Sequence, residues 1–562
     1  MIKKLLLLFI FYYCSYCSAQ NFQWVKEFSG YDTQWGRSIV IDNNKNIYST
    51  GRFYDTTDFN SDSTVVNSLI SNGYSDIYVS KLDENGNYIW AVSAGGPSYD
   101  ISTGILLDTN NDLIIAGTFN DTSDFDPSSN IYNLNANGYD DIFILKLDSS
   151  GNFQWAKGFG SPNYEKCNSI TIDNMNNIYM AGSFSGTVDF DPGPNTYNLT
   201  AAGNTDCFLI KFNSNGELVW AYRFGNVGLD EAISVKYMNG NIFITGIFCN
   251  VVDFDPSAGV FSVSAIGPIR DIFICKWDTS ANFVWGKAFN GSWDEYTQFM
   301  TVDTNENVYI TGCFSDTLDF DTGPGTYNLI PLYSQTFICK LNFNGDLIWV
   351  RTIEVSAGSL CRGFPIFAKN DQSVYVSGNF YAATDFDPGP GTFILTVGQG
   401  MNDIFFLKLN PQGDFVWANS FTATNYTYIG NIVLDDDENL YSTGGYAGTI
   451  DFDPGLNNYS LTSISNYDAF VHKQGPIASF ANELEAIESI EVFPNPVINN
   501  LNIKSGRLLY SIRIFDIEGR LVYEKNIKLF SFNFDLNLEP GIYCLEIVTE
   551  GMNIQRKKIV KY

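Results

Sequence analysis

Paired carboxylates are the first side chains in this sequence able to do chemistry. The tetrapeptide Asp-Phe-Asp-Pro pairs Asp124 with Asp126, Asp189 with Asp191, Asp253 with Asp255, Asp385 with Asp387 and Asp451 with Asp453. Side chains of an extended segment alternate between faces, so the two carboxylates share one face and the phenylalanine takes the other. Together with carbonyl and water oxygens, such a pair is a hard-oxygen donor set for Ca2+. The same residues suit a structural task, because an aspartate closes a turn by accepting backbone N–H bonds and proline fixes the turn's φ. Both readings stand at this level. The first copy carries Asn60 in place of the second aspartate and would be the weakest cation site.

A second acidic pattern, Asp-x-Asn/Asp-x-Asn/Asp, begins at Asp42, Asp108, Asp303 and Asp435. It lacks the glycine and the distant glutamate that complete a calcium-binding EF-hand loop, and strand residues follow it at once. It reads as a hairpin turn. The single histidine, His472, rules out Ser-His-Asp and Cys-His nucleophiles and His-ligated zinc. Its counterparts elsewhere in the chain, Leu145 and Ser80, mark it as structural. Carboxylate-only glycoside hydrolysis survives, since it needs two acids roughly 5 to 9.5 Å apart. Such a site should depart from any repeat, which points to Glu217, Glu231, Asp294-Glu295 and Glu354. The off-pattern Trp35 and Trp293 could stack on sugar rings.

The elements that must position these residues recur with a fixed beat. Trp24, Trp90, Trp155, Trp220, Trp285, Trp349 and Trp417 are separated by 66, 65, 65, 65, 64 and 68 residues. Each unit contains a tryptophan strand, a hairpin whose second strand carries Gly51, Gly117, Gly182, Gly246, Gly312, Gly378 or Gly444, the acidic tetrapeptide, and an apolar strand ending on lysine. The segments are short, rich in Ile, Val, Phe and Tyr, and bounded by Asn, Asp and Gly. About four strands per unit, repeated radially, predict an all-β chain with a seven-bladed β-propeller. The phase predicts how the ring shuts. The seventh unit lacks a tryptophan strand after Lys473, and the strand of Trp24 can supply it, leaving no open edge.

The ends of the chain read differently. Lys3 and Lys4 precede an apolar run and Ser18-Ala19, the pattern of a signal peptide over residues 1–19. No other segment is long and apolar enough to span a membrane. The formal charge is −30, which disfavours nucleic acid and fits a solvated extracellular surface. Cys275 and Cys339 replace Leu145 and Ile210 of equivalent strands, so most cysteines past the leader are expected to be buried free thiols. The beat runs over 20–475, a linker over 476–488 follows, and residues 489–562 have their own alternation, expected to form a small β-sandwich.

That last segment resembles the type A C-terminal sorting domain of type IX secretion system cargo from Bacteroidota. The resemblance rests on Phe493-Pro494-Asn495-Pro496-Val497, Phe515-Asp516-Ile517-Glu518-Gly519-Arg520-Leu521-Val522, Leu536 to Gly541-Ile542-Tyr543, and Lys557-Lys558-Ile559-Val560-Lys561. It implies that Pro494, Asn495, Pro496, Gly519, Gly541, Tyr543 and Lys558 form an address read by the type IX secretion machinery. It also implies delivery across the outer membrane to the cell surface or medium, commonly with removal of the domain. The repeats are similar to bacterial β-propeller repeats, a group tied to no single activity. The expected function is non-catalytic binding of an extracellular protein or polysaccharide. The alternative is a carboxylate-dependent carbohydrate-active enzyme on the same scaffold.

Overall fold

The structure is a computed structural model. It describes residues 20–562 except 61–63, 256–258, 267–269, 355–363, 456, 477–489, 518–519 and 550–553. The expected leader, the linker and Gly519 lie outside the described residues. The chain divides into two compact units, Met1–Ile477 and Ala478–Tyr562. Among the described residues no helix is long and apolar enough to cross a membrane.

Beside four two-stranded hairpins, the first unit contains four four-stranded and three six-stranded antiparallel sheets among the described residues. Their innermost strands are Gln34–Ile41, Ile101–Leu107, Glu165–Ile172, Glu231–Met238, Tyr296–Val302, Ile366–Ala368 and Thr427–Leu434. Each packs beside the next, and the last packs beside the first, so the sheets form a closed β-propeller. The seventh sheet takes its outer strand from the other end of the chain. Gln20–Gly30 pairs with Asp468–Pro476, with Trp24 opposite Lys473.

The beat residues sit where sheets meet. The phenylalanines of the acidic tetrapeptides, Phe125, Phe190, Phe254, Phe386 and Phe452, are all fully buried, with Phe59 and Phe320 in the variant copies. Trp24, Trp90, Trp155, Trp285 and Trp349 each lie against a turn glycine of the following sheet. The space that a Cβ would take at Gly151 abuts the Trp90 indole, and Gly216 bears the same relation to Trp155. These glycines have φ of 84° and 73°, so the positive backbone angle and the indole both favour a residue without Cβ. In the equivalent turn Ala281 holds φ at 66°.

Much of the acidic composition is not on the surface. Asp76, Asp141, Asp206, Asp271, Asp403 and Asp468, which start six of the seven Asp-Ile-Phe-type strands, are at most 1% exposed, and Gln335 starts the other. Cys167, Cys207, Cys249, Cys275 and Cys339 are buried free thiols, as expected, and burial pushes the Cys275 and Cys339 thiols well above the ordinary range. Cys313 departs from that expectation: it is disulfide-bonded, with its partner outside the described residues. The repeat does not reveal this, because the Cys313 position is occupied by Ser183 and Arg52 in other copies.

The second unit is a five-stranded sheet in which Asn500–Phe515 and Leu521–Asp535 pair along most of their length. Those long strands make it one continuous, half-barrel sheet around a core of Ile490, Val497, Leu501, Ile512, Leu545 and Ile559. A bridge from Val497 to Lys561 ties the start of the unit to its last strand.

Candidate binding site

The channel wall is built by a repeated irregularity. In six sheets the innermost strand carries a β-bulge, with the register shifting across Arg37, Thr103, Asn168, Ile233, Gln298 and Gly430. A bulge sets two residues against one and re-aims the extra side chain. Here the extra residue always lines the central cavity. The beat glycines are the other half of the device. A Cβ at Gly51, Gly117, Gly182, Gly246, Gly312 or Gly444 would overlap the carbonyl oxygen of Trp35, Ile101, Lys166, Glu231, Tyr296 or Tyr428 on the bulged strand. The glycine therefore permits the bulge, and the bulge frees one position per sheet from packing.

The cavity at this mouth has a volume of about 690 Å³, within the usual range for small-ligand sites. Its polar groups bridge neighbouring sheets. Lys166 Nζ and Asn168 Nδ2 donate to Glu231 Oε1 at 2.6 and 2.9 Å, and Asn379 Nδ2 donates to Thr427 Oγ1 at 2.9 Å. Arg37 Nη1 donates to Tyr428 Oη at 2.9 Å. Tyrosines ring the approach: Tyr74 stacks on Tyr99 and Tyr139 on Tyr164, at centroid distances of 5.1 and 4.9 Å.

Behind this rim lies a layer of buried acids contributed by adjacent sheets. Glu165 lines the cavity, yet its two oxygens accept from Ser161 N–H and Oγ–H at 2.8 and 2.7 Å. Burial pushes its carboxyl up to about 7, and the charge of Asp141 adds to the effect. Glu295 is raised further, first by burial and then by the neighbouring Asp271. The positions of Asp100, Glu165, Asp230 and Glu295 share the beat, so these acids belong to the scaffold.

The acids singled out for departing from the repeat do not converge. Glu217 accepts from Asn213 in a hairpin turn, Glu231 pairs with Lys166, and Asp294 pairs with Arg270 at 2.9 Å. The side chain of Glu354 lies outside the described residues. Trp293 is exposed, while Trp35 is partly covered beside the cavity.

The Asp-Phe-Asp-Pro loops use their carboxylates on the backbone. Asp189 Oδ1 accepts from Asp191 N at 3.1 Å and Tyr197 N at 2.7 Å, and Asp191 Oδ1 accepts from Gly193 N at 2.7 Å. Asp124, Asp253, Asp385 and Asp451 make the same two bonds, and Asp126, Asp387 and Asp453 each cap the next turn. Asp255 also has a partner. Among the described residues no group of three or more His, Cys, Asp or Glu could hold a metal ion. The Asp42 pattern is likewise a turn, with Oδ1 taking the N–H of Asn44 and Asn46. His472 is fully buried with Nδ1 3.3 Å from Ser442 Oγ, and burial pushes its imidazole down to about 3.

In the second unit the predicted address residues meet at the final strand. Asn495 Nδ2 donates to the Lys558 carbonyl at 2.8 Å, and its Oδ1 accepts from Val560 N at 2.9 Å. Tyr543 Oη donates to the Glu539 carbonyl at 2.8 Å. Pro494 and Pro496 flank Asn495 on the exposed loop, and Gly541 opens the strand paired with Lys561. Residues 491–561 match the family described as a secretion system C-terminal sorting domain. The C-terminal unit is a type IX secretion sorting domain. The sorting domain makes the chain cargo exported to the cell surface or beyond it.

The repeats have relatives of their own. An uncharacterized WD repeat-containing protein of Acanthamoeba polyphaga mimivirus is 24% identical over 539 residues, covering 80% of this chain and 38% of that protein. The regulatory protein FlaEY of Caulobacter vibrioides is 25% identical over 156 residues, covering 26% of this chain and 16% of its own. The chain thus spans well under half the length of these relatives. PorZ, a bacterial surface component of the type-IX secretion system of Porphyromonas gingivalis, aligns over 96% of this chain and all of its own at 10% identity, with a TM-score of 0.24. That superposition is too loose to compare architectures.

Proposed function

We propose that this protein is a surface-displayed binding module that recognises an extracellular protein or glycan at the channel mouth, without catalysis. One observation carries the reading: a cavity of about 690 Å³ is lined by a different bulged residue from each of six sheets, each opposite a recurring glycine. A repeated scaffold with a non-repeated lining is what a recognition surface requires, since specificity comes from differently placed polar groups. The enzyme alternative needs two facing acids free to work. The cavity's acids are Asp140 and Glu165, and Glu165 already accepts two hydrogen bonds from Ser161.

The proposal includes a leader over residues 1–19 that takes the chain through the inner membrane in a bacterium of the Bacteroidota, and a propeller over 20–475 followed by a linker to 488. The test is a screen of the secreted protein against polysaccharides and surface proteins. Specific retention that is lost in a Gln298→Trp variant, which fills the cavity from a bulge position, supports the reading. Turnover of a polysaccharide by the purified protein overturns it. A chain ending before Phe493 should remain inside the cell, and its appearance on the surface would refute the export route.

Calcium at the Asp-Phe-Asp-Pro loops is a separate proposal, tested by melting with and without chelator. A lower midpoint on chelation supports it. An unchanged midpoint leaves the loops as turns closed by amides alone.

A further inference from the structure

Two arginines near the channel mouth have no acidic partner, in a chain with 62 acidic residues and 32 basic ones. The Arg52 guanidinium lies 4.6 Å from the centroid of the Trp35 ring and 5.7 Å from that of Tyr54. Arg37 lies 5.3 Å from the same indole and 5.3 Å from the Tyr428 ring. Trp35 stacks on Tyr428 at 5.6 Å and meets Tyr467 edge-on at 5.8 Å. Among the described residues neither arginine makes an ion pair, and the Nε of each is buried without a hydrogen-bond partner, as is Trp35 Nε1. By contrast Arg223 and Arg270, at the equivalent end of other sheets, pair with Asp206 and Asp294.

The setting is a cleft rather than a core. Trp35, Arg52, Tyr54 and Tyr467 line a cavity of about 490 Å³ at the seam between the first and seventh sheets. Arg37 and Tyr428 line the larger central cavity, so the two spaces adjoin across the Trp35–Tyr428 stack. Burial lowers the pKa of Arg52 and the Arg37 charge adds to that, while Tyr54, Tyr428 and Tyr99 act in the opposite direction. Arg52 thus faces the cleft and Arg37 the central cavity, both against one indole and neither with an acidic partner among the described residues. Guanidinium matches a carboxylate through a planar fork of donors. Aromatic rings with polar tips take the apolar face of a pyranose and leave its hydroxyls wet.

We infer that the seam between the first and seventh sheets, built on Arg37, Arg52, Trp35, Tyr54 and Tyr467, is a subsite for a sugar residue carrying a carboxylate, a uronic acid within a glycan. The inference rests on the glycan side of the binding function proposed above. The protein's net negative charge does not forbid it, because exposed charges are screened beyond about 8 Å at physiological salt, and the two arginines lie within reach of the ligand.

The test uses the full secreted chain, titrated calorimetrically with oligogalacturonate and with a neutral galactose oligomer of equal length. The uronate should bind at least about tenfold more tightly, and Arg52→Gln should weaken it by roughly 10- to 100-fold, the usual size of a charge-assisted bond. Arg52→Lys should recover part of the loss, which guards against a variant that merely misfolds. In both variants neutral-oligomer binding should fall by clearly less than uronate binding does. Equal affinity for the two oligomers, or uronate binding indifferent to Arg52 and Arg37, overturns the subsite while leaving glycan binding intact. Failure of every glycan to bind overturns the broader reading as well. Arginine-dependent binding of a glutamate-rich peptide in place of uronate overturns the sugar assignment.

Discussion

Asp100 offers the sharpest test of the buried acid layer. Its Oδ2 accepts from Gly96 N at 2.7 Å and its Oδ1 from Ser123 Oγ at 2.8 Å, and the side chain is fully buried. The Asp76 carboxylate lies nearby, with one oxygen lacking any partner. Burial pushes the Asp100 carboxyl up to about 7 from 3.8, with the Asp76 charge adding to the effect. The folded pKa thus exceeds the unfolded one. The stabilisation is fully present below about pH 4, falls as pH rises and is gone above the folded value near 7. Across pH 5 to 8.5 the loss from this one group amounts to about 3 kcal/mol, at 1.36 kcal/mol per pKa unit. Asp100→Asn keeps an acceptor for Gly96 and a group to face Ser123 but cannot ionise. Urea unfolding at both pH values, at constant ionic strength, should show the variant losing about 3 kcal/mol less than the parent on going to pH 8.5. Parallel pH profiles, however stable the variant, would refute the claim that this acid enters the fold protonated.

Other outcomes follow from the same geometry. Gly182→Ala should cost on the order of 3 kcal/mol, because its Cβ overlaps the Lys166 carbonyl, whereas Gly240→Ala, facing open space at φ 82°, should cost about 1 kcal/mol; equal midpoints for the two would remove the stated reason for the beat glycine. Asp189→Ala strips the acceptor from two backbone amides and should lower stability by about 2 kcal/mol, read by thermal melting. A neutral result would show that water replaces it. Buried His472 is pushed down to about 3 from 6.5, so the unfolded chain takes up a proton first and stability is lost as pH falls below 6.5. At pH 5 that loss is about 2 kcal/mol, and His472→Leu should abolish it; an unchanged difference between parent and variant at pH 7.5 and pH 5 would count against a neutral buried imidazole.

The ring was legible in the residue types because its contacts repeat. Trp90 covering the Gly151 turn is a contact made again by Trp24, Trp155, Trp285 and Trp349, so its spacing exposes the sheet period. The same logic located the closing strand at Trp24, since a missing outer strand leaves a visible gap in phase. The sorting domain was legible for a different reason: Asn495 and Tyr543 each satisfy backbone groups at a fixed place, which ties identity to position. The candidate site was not. A bulge residue can be Arg, Thr, Asn, Ile, Gln or Gly, so nothing in its type marks it, although the glycine opposite does. Nor was the burial of particular acids legible: nothing in the residue type sets Asp76 and Asp141 apart until the sheets on either side bury them. Trp35 was noticed for falling off the beat, but the arginines against it became informative only when the structure showed no carboxylate beside them.

The glycine-permitted bulge separates two jobs that most walls combine. Replacing Gln298 alters what a visitor meets while the strand on either side keeps its pairing. The ring is therefore a typesetter's frame with at least six slots, in which one letter can be exchanged at a time while the frame holds. Descendants of one such gene could diverge in what they greet outside the cell and remain, to the machinery that folds and ships them, the same parcel.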